Sequence, residues 1–211
     1  MDTCWIVGAG LFTKRDFAPK TGDLIIAADG GLVPLREMGV TPHLLLGDFD
    51  SLGPVPGDLP PATERLTFPV EKDDTDTGLA LREGLRRGYR RFALYGCGGG
   101  RLDHLFANMQ SMACAAKQGA FLCLTDPEYD LYCIHNGELV LPPRPAGTLA
   151  SVLCHGDKAE GVTISGLQYS LKNETLTSDY PVGVSNHYTG ETAKVSVENG
   201  GIHIMVFLDR C

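Results

Sequence analysis

Phe92-Ala93-Leu94-Tyr95-Gly96-Cys97-Gly98-Gly99-Gly100-Arg101-Leu102-Asp103-His104 passes from an apolar run, through a glycine-rich break, into a helical pattern. Phe92 to Tyr95 read as a strand covered on both faces. Beyond the break, Leu102, Leu105, Phe106, Met109, Met112, Ala113 and Ala116 recur at i, i+3, i+4, i+7 spacing, and Gly119 follows as a stop. The pattern predicts a helix over about Leu102 to Gln118. Strand, tight loop and helix in this order form the repeating unit of a parallel sheet whose strands are joined through helices.

The same alternation fills the first half of the chain. Cys4-Val7, Leu24-Ala27, Leu44-Leu46, Leu66-Phe68 and Phe121-Leu124 read as further strands. A helix is expected over about Thr77 to Arg87, its start rich in Asp and Thr, which accept from free N–H groups and suit the positive end of the helix dipole. Another is expected between Gly31 and Met38, with Pro34 tolerable only near its first turn. The fold class is therefore α/β, with a mainly parallel N-terminal sheet.

Near residue 137 the helical patterns stop. Leu139-Leu141, Leu149-Leu153, Gly161-Ile164, Leu167-Leu171, Lys194-Val197 and Ile202-Phe207 are short β-patterned stretches, punctuated by Gly, Pro, Asn and Asp. Glu198-Asn199-Gly200-Gly201 reads as a hairpin turn. The expected organisation is an α/β domain over 1–136 and a C-terminal antiparallel β-sandwich of about six strands over 137–211. Tyr169, Tyr180 and Tyr188 are expected in the sandwich core.

Four polar clusters follow apolar runs of the first half: Ala28-Asp29-Gly30-Gly31, Gly47-Asp48-Phe49-Asp50-Ser51, Lys72-Asp73-Asp74-Thr75-Asp76 and Gly100-Arg101-Leu102-Asp103-His104. In an open α/β sheet, ligands bind beyond the carboxyl ends of the strands, so all four should converge on one crevice. Grouped carboxylates repel one another unless a cation holds them, and a hard divalent cation takes oxygen ligands and bridges to phosphates. The glycines before Arg101, Gly99 and Gly100 among them, offer backbone N–H groups to an anion. Arg101 adds a planar fork suited to phosphate.

Each cluster has a plainer reading. Asp29 before glycine is usually a turn residue. Asp74, Thr75 and Asp76 fit a helix cap. Asp103 and His104 fit the first turn of the helix that follows. Taken together, these readings require four coincidences at one sheet edge. Gly8-Ala9-Gly10 invites a dinucleotide reading, but Thr13 stands where the third glycine of GxGxxG belongs, so the segment reads as a tight turn.

Bulk properties narrow the class. The 211 residues carry a net charge of −8, which opposes a nucleic-acid-binding face. No apolar run approaches the roughly 18 residues of a membrane span, and Met1-Asp2-Thr3-Cys4-Trp5 lacks the basic and apolar parts of a signal peptide. Seven cysteines, none in a CxxC pair, read as reduced thiols of a cytoplasmic protein. The histidines show no HxxxH or HExxH spacing for zinc.

With the clusters quoted, the chain resembles the thiamine pyrophosphokinase (thiamine diphosphokinase) family over nearly its whole length. That family carries ADGG, GDFDS, a D-x-TD segment and G-R-x-D-H in this order. Here they are Ala28-Gly31, Gly47-Ser51, Asp73-Asp76 and Gly100-His104. Gly166-Leu167-Gln168-Tyr169-Ser170-Leu171 and Gly183-Val184-Ser185-Asn186 are similar to its second half. The resemblance implies diphosphoryl transfer from ATP to thiamine, giving thiamine diphosphate and AMP, in a homodimer that binds thiamine where two subunits meet. It implies Mg²⁺ held by Asp48, Asp50 and Asp76, with Asp29 and Asp73 completing an acidic pocket. Lys72 and Arg101 would hold the triphosphate, with Thr75, Gly99 and Gly100 beside them. Asp103 would orient substrate or help deprotonate the hydroxyl. Ser185 and Asn186 would contact thiamine. Some members stack a tryptophan of the last hairpin on thiamine; here the lone tryptophan is Trp5, and that segment offers Ile202, His203 and Ile204.

Two other functions are compatible with the clusters. One is a related diphosphokinase acting on another alcohol, such as a hydroxymethyl pterin. The other is a non-catalytic nucleotide or thiamine sensor, which would have less need of so many carboxylates.

Overall fold

A computed structural model of the chain describes residues 1–48, 59–69 and 74–208. They divide into two compact units: Met1–Ala115 with Leu122–Pro127, and Ala116–Phe121 with Glu128–Cys211.

The first unit is a sheet with helices. Its strands are β1 (Cys4–Val7), β2 (Leu24–Ala28), β3 (Leu44–Gly47), β4 (Glu64–Thr67), β5 (Arg91–Tyr95) and β6 (Phe121–Thr125), in the spatial order β6-β5-β1-β2-β3-β4. The pairs β1/β2, β1/β5, β2/β3 and β3/β4 are all parallel. The helices are α1 (Leu32–Glu37), α2 (Asp76–Arg86) and α3 (Leu102–Ala116).

Apolar burial on both faces explains why β1 and β2 read as unbroken apolar runs. On one face Trp5, Val7, Ile25, Ala27 and Tyr95 pack with Leu32 and Leu35 of α1. α1 has six residues, too few for an isolated helix, so these two fully buried leucines hold it in place, each contributing roughly 1.5–3 kcal/mol. Trp5 meets Phe17 edge-on at 5.2 Å and donates from Nε1 to Asp23 at 2.8 Å. The chain's one tryptophan is therefore a core residue. On the other face Gly84 of α2 lies against Phe92 and Cys4, where a side chain would collide. β4 begins two residues before the expected Leu66: as the edge strand it is mostly exposed, so Glu64 and Arg65 carry no apolar signal.

The second unit is antiparallel: β7 (Tyr129–Val140), β8 (Leu149–Ser165), β9 (Leu171–Thr177), β10 (Asn186–His187) and β11 (Lys194–Phe207). Their order is β10-β8-β11-β7, with β9 also on β8. The fold class thus agrees with expectation, parallel strands first and antiparallel strands after.

Three details differ. The stretches 149–153 and 161–164 are parts of one strand, as are 194–197 and 202–207. Glu198-Asn199-Gly200-Gly201 is consequently not a hairpin turn but a bulge within β11, with the register against β7 shifting between Val197 and Gly201. Gly200 makes it possible at φ 111°, and its N–H donates to Asn136 Oδ1 at 2.8 Å. Because β7 and β8 pair with β11 on both sides of the bulge, the chain runs straight on. The composition change at residue 137 falls inside β7, where continuous burial gives way to alternating burial after Ile134. Tyr188 is buried as expected, but Tyr169 and Tyr180 are 60% and 69% exposed. Tyr169 lies in a bend and Tyr180 in an isolated bridge to Thr177, both outside the strand alternation that would aim them inward.

Candidate active site

The spatial order of the first sheet creates the site. From β1 the chain steps outward to β2, β3 and β4 on one side and to β5 and β6 on the other. Loops leaving adjacent strand ends in opposite directions open a crevice at this switch point. A cavity of about 470 Å³ lies there, lined from the β1 turn (Gly8–Gly10), the β2 end (Ala28, Asp29), the α2 start (Asp74–Thr77) and the glycine loop with α3 (Gly96–Arg101, His104, Asn108).

Close backbone contacts explain the glycines. Gly8 N–H donates to the Tyr95 carbonyl and Gly10 N–H to the Gly96 carbonyl, both at 2.8 Å. A side chain on Gly8 or Gly10 would meet the Gly96 carbonyl, and one on Gly31 would overlap the Val7 carbonyl. Gly8-Ala9-Gly10 is thus the tight turn its sequence suggested. Asp29 follows β2 on a single 3₁₀ turn (Asp29–Gly31) at φ 46°, and its Cβ lies where a Gly47 side chain would stand. This brings the ADGG and GD segments side by side. Asp48 follows directly and is half-buried.

At the start of α2, Thr75 is the N-cap: its Oγ1 accepts from Gly78 N–H at 3.0 Å. Asp74 Oδ1 accepts from Thr75 N–H at 2.9 Å, and Asp74 pairs with Arg82. The capping reading therefore holds for these residues, and both also line the crevice. Asp76, in the first helical turn, lines it half-buried. Asp50, Lys72 and Asp73 lie outside the described residues.

The loop after β5 is held from behind by residues that no motif singled out. Asn108 Nδ2 donates to the Cys97 carbonyl at 2.8 Å, and Asp126 Oδ2 accepts from Gly99 N–H at 3.2 Å. Both side chains are buried. The available signals were weak: Asn108 lies one helical turn after His104, and Asp126 ends β6 much as Asp29 follows β2. Gly99 and Gly100 line the cavity, and so does Arg101, which is 72% exposed and engages Asp103. Asp103 does not line it. Arg101 donates to the Asp103 carboxyl and holds it down at about 2.

Among the described residues, Asp29, Asp74 and Asp76 line the cavity against one guanidinium, Arg101. Asp74 is already paired with Arg82. The remaining donors are carboxylate oxygens, the set that suits a hard divalent cation, although no three described carboxylates close on a single point.

Ser185 and Asn186 belong to the second unit. Ser185 is exposed at φ 60° and donates its N–H to Ser151 Oγ at 3.2 Å. Asn186 is 2% exposed. It accepts from Tyr169 N–H on Oδ1 at 2.9 Å and donates from Nδ2 to the Tyr169 carbonyl at 2.8 Å. It therefore works as a strand-like clamp on the segment carrying the exposed Tyr169 ring. Ile202, His203 and Ile204 are buried within their own unit.

Comparison with known proteins gives this geometry a family. The family described as "Thiamin pyrophosphokinase, catalytic domain" matches residues 19–124, half of the chain. The chain belongs to the thiamine pyrophosphokinase family. Its companion, "Thiamin pyrophosphokinase, vitamin B1 binding domain", matches residues 138–202. A thiamine pyrophosphokinase of Bacillus subtilis is 28% identical over 185 residues, covering 87% of this chain and 86% of that protein. The crystal structure of the Bacillus subtilis enzyme superposes with a TM-score of 0.86 at 25% identity, covering 99% of this chain and 100% of its own. That of a thiamin pyrophosphokinase family protein from Enterococcus faecalis gives 0.81 at 28% identity, with both chains fully covered. With both family domains present, the chain is an enzyme, a thiamine diphosphokinase that transfers a diphosphoryl group from ATP to thiamine. The catalytic-domain match contains Asp29, Asp48, Asp76, Arg101 and Asn108, so it spans most of the crevice. Among the described residues no helix is long and apolar enough to cross a membrane.

Proposed function

We propose that the crevice of the first unit is where the diphosphoryl transfer takes place, with ATP phosphates against Gly100 and Arg101, while Gly99, its N–H taken up by Asp126, shapes the loop. The observation that carries this reading is the convergence of Asp29, Asp76 and Arg101 on one 470 Å³ cavity at the sheet's switch point. Mg²⁺ would be held by Asp48, Asp50 and Asp76, and would neutralise phosphate charge. Asp29 and Asp73 add acidity, Thr75 fixes the start of α2, and Lys72 and Arg101 grip phosphate. Such chemistry needs positioning and charge neutralisation more than covalent catalysis. The thiamine hydroxyl attacks the β-phosphorus, the bond to the α-phosphate oxygen breaks, and AMP leaves.

The division of labour is a catalytic domain over 1–136 and a thiamine-binding domain over 137–211. The second contributes Ser185 and the Tyr169 segment that Asn186 clamps. A homodimer and a cytoplasmic location complete the reading. The test is AMP release with thiamine and, separately, with a hydroxymethyl pterin. Thiamine-dependent release alone supports the assignment; release with the pterin alone, or with neither, refutes it.

A further inference from the structure

Two side chains outside every recognised motif grip the glycine loop. Asn108 of α3 is 5% exposed and holds the Cys97 carbonyl; Asp126 at the end of β6 is 3% exposed and holds Gly99 N–H. Burying an amide or a carboxylate is unfavourable unless it is hydrogen-bonded, and both are. What they hold matters more. Gly96, Gly98, Gly99 and Gly100 make this segment one of the most conformationally free in the chain. A loop that binds an anion through backbone N–H groups works only if those groups already point the right way. The Gly10 N–H bond to the Gly96 carbonyl fixes the loop's entry. Asn108 fixes it one residue later, and Asp126 two residues beyond that.

We propose that Asn108 and Asp126 are positioning residues for the nucleotide, setting the Gly98–Arg101 backbone in its phosphate-binding geometry. This rests on the reading that ATP occupies the crevice. Asp126 takes up the Gly99 N–H, so the phosphate contact of this loop falls to the groups on either side and to Arg101. To the glycine loop Asp126 supplies an acceptor oxygen. Its negative charge, behind a phosphate site, works against binding. Asparagine should therefore replace it, and alanine should not.

The test combines steady-state kinetics with titration of a fluorescent ATP analogue. Asp126→Ala and Asn108→Leu should each raise KM for ATP roughly tenfold, about 1.4 kcal/mol, with KM for thiamine changed less than twofold. Asn108→Leu keeps the side-chain size while removing the donor and adds no charge to the cavity wall, so it tests the loop even where Asp126→Ala fails to fold. Asp126→Asn should stay within about twofold of the parent chain. The proposal is overturned if Asp126→Asn is as impaired as Asp126→Ala, if both KM values rise together, or if only thermal stability changes. If the parent chain does not bind the analogue, the nucleotide reading of the crevice fails instead.

Discussion

Arg101 and Asp103 form a two-point ion pair on the protein surface, with Nε 3.1 Å from Oδ1 and Nη2 2.5 Å from Oδ2. Asp103 Oδ1 also accepts from His104 N–H at 3.1 Å, which ties the pair to the first turn of α3. Arg101 holds the Asp103 carboxyl at about 2. So weak a base is poorly matched to removing a proton near neutral pH. The geometry suits Asp103 to aiming the guanidinium at phosphate.

Arg101→Lys should therefore be a poor substitute, because an ammonium lacks the fork. We expect kcat/KM for ATP to fall at least about tenfold, roughly 1.4 kcal/mol. Asp103→Asn should lower the same constant without moving the acid limb of the pH–rate profile. A change of less than about twofold for Arg101→Lys, or a shifted acid limb for Asp103→Asn, would remove these roles.

Activity should require a divalent cation. Chelation should abolish turnover and Mg²⁺ should restore it. Asp48→Asn and Asp76→Asn should each lower kcat about 100-fold, roughly 2.7 kcal/mol, with circular dichroism unchanged, since the lost oxygens serve charge developed during transfer. Full turnover in excess chelator would eliminate the metal assignment.

The second unit should carry a pH-dependent stability of its own. His155 lies over Gly201, where any side chain would strike the imidazole, and its ring centroid is 5.1 Å from that of His203 and 6.4 Å from that of His135. Burial, with Lys117 nearby, pushes His155 and His135 below the usual histidine range. The unfolded chain then binds more protons than the folded one just below the free-histidine value of about 6.5, so stability falls as pH drops through that region. Thermal melts between pH 7.5 and 5 should show this loss, and His155→Gln should flatten it. Equal slopes for both chains would contradict the assignment.

The site is expected to be shared between subunits. An inactive Asp48→Asn chain mixed with an inactive chain altered at Ser185 and Asn186 should regain activity, because one site of each heterodimer escapes both defects. Asn186 clamps Tyr169, so Ser185→Ala alone, with Asn186 kept, separates direct contact from loss of the clamp. No regained activity in heterodimers confirmed by mass would mean that each site is built within one chain or that Ser185 and Asn186 do not contact the substrate.

The sequence alone determined the elements of the first unit and where its polar clusters fall. Apolar runs buried on both faces leave an unambiguous local pattern, as in Cys4–Val7 and Phe92–Tyr95, and the i, i+3, i+4 spacing within Leu102–Ala116 announces a helix, although Leu102 and Phe106 of that stripe stay exposed. The family was equally legible, because its motifs are short contiguous strings. Tertiary structure decided what depends on partners distant in sequence. Glu198-Asn199-Gly200-Gly201 has the local chemistry of a turn and became a bulge because β7 and β8 flank it on both sides. Tyr169 has the apolarity of a core residue, but Asn186, 17 residues away, fixes its backbone where the ring meets solvent. Asn108 and Asp126 carried no motif at all. Their roles arise only when α3 and β6 bring an amide and a carboxylate behind a loop that cannot hold its own shape.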